Sequence, residues 1–346
     1  MITRSISPLR IGLAGGGTDI KSYYEKYQGS VLNATINLFT HCTIESNLNK
    51  ELKFISLDIK KEFICTETNK VNLEGDLLLH KAVYNRIVKA YNSNRPLNIT
   101  ITTYSDSPPG SGLGSSSSLV VCMIKSYTEF LNIRLDEYEI SHLAYTIERI
   151  DLGFSGGKQD QYAAAFGGFN FMEFYKNGSV LVNQLRINKW IINELEESII
   201  LYNTGESRVS SKIIDEQIKN TNQKHEIAIN AMHKVRDSAI SMKETLLKGD
   251  LNNFGKIIDE SWKNKQRMSS RITSAHIENL FDIALEAGAI SGKVSGAGGG
   301  GFIMFFVDPL RKIEVINALS KQKGNIFNAK FYKYGCISWK LKTINK

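Results

Sequence analysis

Residues 108–118 read PPGSGLGSSSS, and their interpretation decides the fold. To their left, LNITITTY (97–104) alternates apolar and polar residues as a half-buried strand does. To their right, SSLVVCMIKSYTEFLNI (117–133) has the length and apolar content of a buried helix. A strand-to-helix connection has no use for a floppy Gly/Ser linker. The proline pair fixes the entry of the chain, and glycines at 110, 112 and 114 let backbone amides approach a ligand without a Cβ in the way. The serines then open a helix whose free N–H groups and positive dipole end favour an anion, and a serine hydroxyl suits a hard cation. A plain connection with capping serines is the alternative.

A second dense cluster, SGAGGGGF, spans Ser295–Phe302. Neither cluster matches the two familiar nucleotide loops. A P-loop requires GxxxxGK[ST], and no lysine follows the last glycine of the first cluster. GSGLGS is not GxGxxG, and GAGGGG precedes the apolar run FIMFFV instead of leading from a strand into a helix. A different kind of phosphate cradle is needed.

The chain has 346 residues, 42% of them hydrophobic and 23% charged, which is the composition of a folded protein large enough for two domains. Its net charge of +8 comes from dispersed lysines without a basic block, which argues against nucleic-acid binding. Cys42, Cys65, Cys122 and Cys336 are widely spaced and form no CxxC pair, as buried thiols of a reducing compartment would. The first residues lack a signal-peptide pattern and no apolar run approaches the roughly 20 residues that span a bilayer, so a cytoplasmic protein without membrane contact is expected. The six histidines fall in no metal-binding spacing. A polar stretch near Asn188–Glu194 is the expected boundary between lobes at 1–190 and 191–346. The second lobe, with its closing strand GCISWKLK, reads as α+β. In DEYEISHLAYTIERIDLGF, Leu143, Ile147 and Ile150 recur at helical spacing.

SPLRIGLAGGGTD, PPGSGLGSSSS and KVSGAGGGGF together resemble, in order and position, the three motifs of the GHMP small-molecule kinases, and the resemblance covers essentially the whole chain. It implies a two-lobed α+β fold, with an N-lobe like domain 2 of ribosomal protein S5 and a ferredoxin-like C-lobe. Within that family, IERIDLGFSGGKQDQYAAAFGGFNFMEF and TGESRVSSKIIDEQ are most similar to the branch of sugar 1-kinases that acts on D-glycero-D-manno-heptose 7-phosphate, with fucokinases nearby. The implied activity is ATP- and Mg²⁺-dependent phosphorylation of the anomeric hydroxyl, supplying nucleotide-activated heptose for surface polysaccharide. The expected partner is a small sugar phosphate, and the expected assembly a monomer or homodimer. A non-catalytic GHMP-fold binding protein is the rival of another class.

The resemblance also implies residue roles. Pro109, Gly110, Ser111, Gly112, Leu113, Gly114, Ser115 and Ser116 are expected to hold ATP, with Ser116 and Glu148 on Mg²⁺. Asp160, in GGKQDQ, is the expected general base, because a carboxylate suits an anomeric hydroxyl more acidic than an ordinary alcohol. An N-cap on the following helix is its structural alternative. Arg10 is expected to orient or assist the base. For the acceptor, Asp19 matches a sugar-binding aspartate and Gly16 and Gly17 leave room where galactokinases carry bulkier residues; Gly298 is a further candidate. A terminal phosphate wants cations and hydroxyls, for which Lys158, Arg208, Ser207 and Ser210 are candidates, although ESRVSS equally suits a helix cap.

Overall fold

The computed structural model describes residues 1–47, 49–66, 68–206 and 210–341. The first lobe begins with strand β1 (Ile2–Ala14), helix α1 (Lys21–Tyr27) and strands β2 (Gly29–Ser46), β3 (Glu51–Ser56) and β4 (Lys61–Thr66). Helix α2 (Leu78–Tyr91), β5 (Ile99–Ser105), α3 (Ser115–Leu131), α4 (Glu137–Thr146) and α5 (Gln159–Phe166) follow, and β6 (Phe169–Phe174) and β7 (Val180–Gln184) close it. The second lobe runs α6 (Lys189–Ser198), β8 (Ile199–Asn203), α7 (Ser210–Asn222), α8 (Glu226–Lys248), α9 (Leu251–Gln266) and α10 (Ala275–Glu286). It continues through β9 (Ala289–Val294), β10 (Phe302–Val307), α11 (Lys312–Leu319) and β11 (Asn325–Phe327), and the chain then forms β12 (Ile337–Leu341).

Eight strands build the first sheet in the order β12-β1-β2-β5-β3-β4, with β6 paired to the first part of β2 and β7 paired to β6. On its edge away from β1, the long β2 serves two partners: Gly29–Ala34 pairs with β6 and Thr40–Ser46 with β5. Between β1 and β2 the register jumps from Pro8↔Phe39 to Leu9↔Ile36. A proline cannot donate to the ladder, so the bulge falls there, and Arg10 emerges just beyond it. Four antiparallel strands in the order β11-β8-β10-β9 form the second sheet. The closing strand, read above with the second lobe, instead pairs with β1, from Ile6↔Ile337 to Ile2↔Leu341.

Helix α3 buries Val120, Val121, Ile124 and Tyr127 in one core with Ile44 of β2, Phe54 of β3 and Ile101 of β5. That burial fixes the helix start, and with it the glycine loop, against the sheet. A second core joins the lobes: Leu9, Ile11 and Leu13 of β1 share it with Met242 and Leu246 of α8 and Phe302 and Met304 of β10. The cleft between lobes therefore has packed walls on both sides.

The helical period read through Leu143, Ile147 and Ile150 fails at its end. After α4, opened by a reciprocal capping box of Asp136 and Glu139, residues Ile147–Asp151 form a π-helical turn. The extra residue per turn leaves Ile150 68% exposed and turns Glu148 inward, where it is buried.

Candidate active site

A cleft of about 390 Å³ lies where the start of α3, the Gly15–Gly17 turn, the start of α5 and the second lobe meet. Gly110, Gly112 and Gly114 line it, and all three adopt positive φ of 75 to 77°. Gly114 stands at the N-cap of α3 in a left-handed conformation, so Ser115, Ser116 and Ser117 in the first turn reach the cleft. Ser118 points back, its hydroxyl 2.9 Å from that of Thr40, and ties the helix to the sheet. Ser111 and Leu113 are buried within the loop, and the Ser111 hydroxyl accepts from Ser107 at 2.9 Å.

The second glycine cluster buttresses the first. The Phe302 amide donates to the Ser111 carbonyl at 3.0 Å. A Cβ on Gly112 would lie 2.6 Å from the Ser295 carbonyl oxygen, and one on Gly296 would lie 2.7 Å from that of Gly112. Of this cluster Gly296 and Ala297 line the cleft. Gly298, expected on the acceptor, is instead packed on Ile272, whose Cγ2 would be 2.9 Å from a Cβ there. The Gly112→Ala variant is expected to raise the KM for ATP at least about tenfold, since the left-handed backbone and the blocked carbonyl both displace the loop. Steady-state kinetics with varied ATP checks this.

Opposite the loop, Asp160 lies in the first turn of α5 and does not cap it. Its Oδ1 accepts from Arg10 Nε at 2.8 Å and lies 2.7 Å from Nη2. The same guanidinium donates through Nη1 to the Gly112 carbonyl at 2.6 Å, so one side chain links the carboxylate to the glycine loop. A Cβ on Gly114 would come within 3.2 Å of Asp160 Cγ, which explains the small residue there. Asp19 accepts from the Gly17 and Gln159 amides and from Gln159 Nε2, each at 3.1 Å. Burial pushes its carboxyl pKa up; the Gln159 amide opposes that rise and the Asp160 charge adds to it. Gly157 must lack a side chain, because its Cβ would fall 1.8 Å from Asp19 Oδ2.

Glu148, also in the cleft wall, accepts from the Ser116 hydroxyl at 3.2 Å and from Gln161 Nε2, with Arg149 Nη1 3.7 Å away. Among the described residues no group of three or more His, Cys, Asp or Glu could hold a metal. Two adjoining hard oxygens, from Ser116 and Glu148, are nevertheless the partial ligand set that Mg²⁺ takes when phosphates and water complete it.

The remaining expected acceptor residues divide. Gly16, Gly17, Asp19 and Ser210 line the cleft. Lys158 does not: its ammonium donates to the Gly178 carbonyl and lies over the Tyr24 and Tyr145 rings, at 4.8 and 5.1 Å. Two residues apart at a helix start, Lys158 and Asp160 leave the axis on nearly opposite sides. Ser207 and Arg208 lie outside the described residues. Residues not singled out from the sequence also line the cleft, chiefly Arg149, Gln159, Gln217 and Lys265. Burial, and behind it the Arg10 guanidinium, pulls the Lys265 pKa down to about 8. A second cavity of about 370 Å³ shares Gly110, Ser115 and Ser116 with the cleft and is walled by Ile59, Leu77, Leu78 and Leu119. Its apolar walls beside the glycine loop suit a flat aromatic ring.

An anion-binding loop, an Arg-held carboxylate and a pair of hard oxygen donors facing one cleft define a small-molecule phosphotransferase. Residues 78–168 match the N terminal domain of the GHMP kinases and residues 242–325 their C terminal domain. The chain is 47% identical over 338 residues to the D-glycero-alpha-D-manno-heptose 7-phosphate kinase of Campylobacter jejuni, covering 98% of this chain and 99% of that protein. A solved structure described as a D-glycero-D-manno-heptose 1-phosphate kinase from Bacteroides thetaiotaomicron superposes with a TM-score of 0.85 at 45% identity, covering 99% of this chain and 100% of that one. The mevalonate kinase of Methanococcus jannaschii, at 21% identity and a TM-score of 0.73 over 96% of this chain and 98% of that one, shares the fold. The protein belongs to the GHMP kinase family.

Proposed function

We propose that the protein transfers the γ-phosphoryl group of ATP to the anomeric hydroxyl of D-glycero-D-manno-heptose 7-phosphate, giving the 1,7-bisphosphate. The observation that carries this reading is Asp160, fixed by Arg10 at 2.8 Å and facing the same cleft as the glycine loop. The name of the Campylobacter relative, matched over nearly the whole chain, supports the acceptor. A carboxylate base favours the anomeric hydroxyl over a ring hydroxyl, because the former gives up its proton more readily.

In this reading the amides and hydroxyls of Gly110–Ser116 hold the nucleotide phosphates, helped by the positive end of α3. Asp160 takes the proton of the attacking hydroxyl, while Arg10 keeps its carboxylate aligned. Asp19, positioned by Gln159 and Gly17, orients the sugar. Ser116 and Glu148 would hold Mg²⁺, which when bound supplies charge neutralisation for the phosphates. Glu148→Gln is expected to raise the Mg²⁺ concentration for half-maximal rate by roughly 10- to 100-fold, the usual worth of an oriented metal-site partner. A magnesium titration of the initial rate checks this.

The reading as a whole is tested by ADP release with heptose 7-phosphate, mannose, fucose and galactose as acceptors. Heptose 7-phosphate is expected to give the highest kcat/KM. A higher value for an unphosphorylated sugar assigns the protein to another acceptor.

A further inference from the structure

Two polar side chains in the cleft have hydrogen-bonding capacity that the fold leaves unspent. Gln217, on α7, is 3% exposed and lines the cleft, yet its Nε2 has no partner among the described residues. Lys265, near the end of α9, is equally buried and also lines the cleft. Its ammonium donates to one acceptor among the described residues, the Gly296 carbonyl, so two N–H bonds remain available.

Both side chains come from the second lobe and adjoin the same turn of the first. A Cβ on Gly17 would stand 3.5 Å from Gln217 Oε1, and one on Gly16 would stand 3.9 Å from Lys265 Nζ and 3.7 Å from Gln159 Nε2. At Gly17 the Met268 methyl fills the place of a side chain, 2.7 Å from a Cβ there, whereas the missing side chain at Gly16 leaves room beside the Lys265 ammonium. Unmet donors in a buried site are costly, and a site built to bond a ligand's oxygens discriminates strongly against molecules that lack them. With its pKa near 8, Lys265 remains a cation at neutral pH.

We propose that Gln217 and Lys265 are the specificity-determining pair for the acceptor, donating hydrogen bonds to sugar oxygens that take no part in the transfer. They hold the ring beside Gly16, and the reacting hydroxyl is left to Asp160. The class of acceptor this selects is a polyhydroxylated ring with at least two neighbouring oxygens free to accept. The inference rests on the sugar-kinase reading above.

The test compares the wild type with Gln217→Leu and Lys265→Met in steady-state assays that vary heptose 7-phosphate and ATP separately, with a melting curve for each protein. Loss of ground-state contacts is expected to raise the acceptor KM roughly tenfold in the first variant and about 10- to 100-fold in the second. The KM for ATP and kcat are expected to stay within about threefold of the wild type, as uniform binding effects do. Lys265→Met is expected to melt no lower than the wild type, because a desolvated cation is exchanged for an apolar side chain of similar length. An acceptor KM within about twofold of wild type in both variants overturns the pair while leaving the sugar-kinase reading intact. A shift in one variant alone overturns the pairing, and a fall in melting temperature with both KM values moving together overturns the recognition role in favour of a structural one. A wild type that phosphorylates none of the sugars tested overturns the underlying reading, and this inference with it.

Discussion

Asp160→Asn is expected to bind ATP normally and to lose roughly 10² to 10⁴ in kcat, the usual worth of general acid-base catalysis. The substitution preserves shape and keeps one oxygen for Arg10, whose Nε and Nη2 both contact the native carboxylate. What disappears is the ability to take a proton. Because the anchor on Arg10 is partly retained, the loop that Arg10 also holds through the Gly112 carbonyl is expected to stay in place. Single-turnover rates with saturating acceptor, together with nucleotide binding by fluorescence, separate the two effects. A kcat near the wild-type value removes Asp160 from the proton transfer.

Arg10→Lys is expected to cost about 10²-fold in kcat, the scale of loss that follows from misplacing a reacting group by about an ångström. A guanidinium spans two acceptors at once, here the Asp160 carboxylate and the Gly112 carbonyl, and an ammonium on a flexible stem cannot reproduce that fork. The Arg10 side chain is 5% exposed, and the lysine ammonium would have to remain in the same buried pocket near Lys265. The melting temperature is therefore expected to fall as well, by several degrees, as it does when a partly buried charged network loses its geometry. Activity at the wild-type level with an unchanged melting curve contradicts the linking role of Arg10.

The glycine loop between strand and helix was legible because its signals are local: a strand alternation, three spaced glycines and an apolar helix. The clustering of Arg10 and Asp19 with Asp160 was legible only through the resemblance, which links SPLRIGLAGGGTD with the separate GGKQDQ segment that β1 and α5 bring together. Glu148 was located by resemblance, but its burial depends on a π-helical turn that the regular spacing of Leu143, Ile147 and Ile150 conceals. Lys158 shows the opposite failure, because nearness to Asp160 along the chain does not carry over to the direction of a side chain at a helix start. Gln217 and Lys265 sit in polar helices with nothing to distinguish them from solvated neighbours, and only the closure of the second lobe on the Gly16–Gly17 turn marks them. The return of β12 to the first sheet was likewise hidden, since a strand's pattern does not name the edge it joins.

Where the phosphoryl group lands tests the central claim most directly. Heptose 7-phosphate is incubated with ATP and the enzyme, and the sugar product is examined by proton-coupled ³¹P NMR. The expected spectrum keeps the 7-phosphate resonance and gains a second one coupled to the anomeric proton. A new resonance coupled to any other sugar proton, or no new sugar phosphate at all, contradicts the assignment of the anomeric hydroxyl as the acceptor.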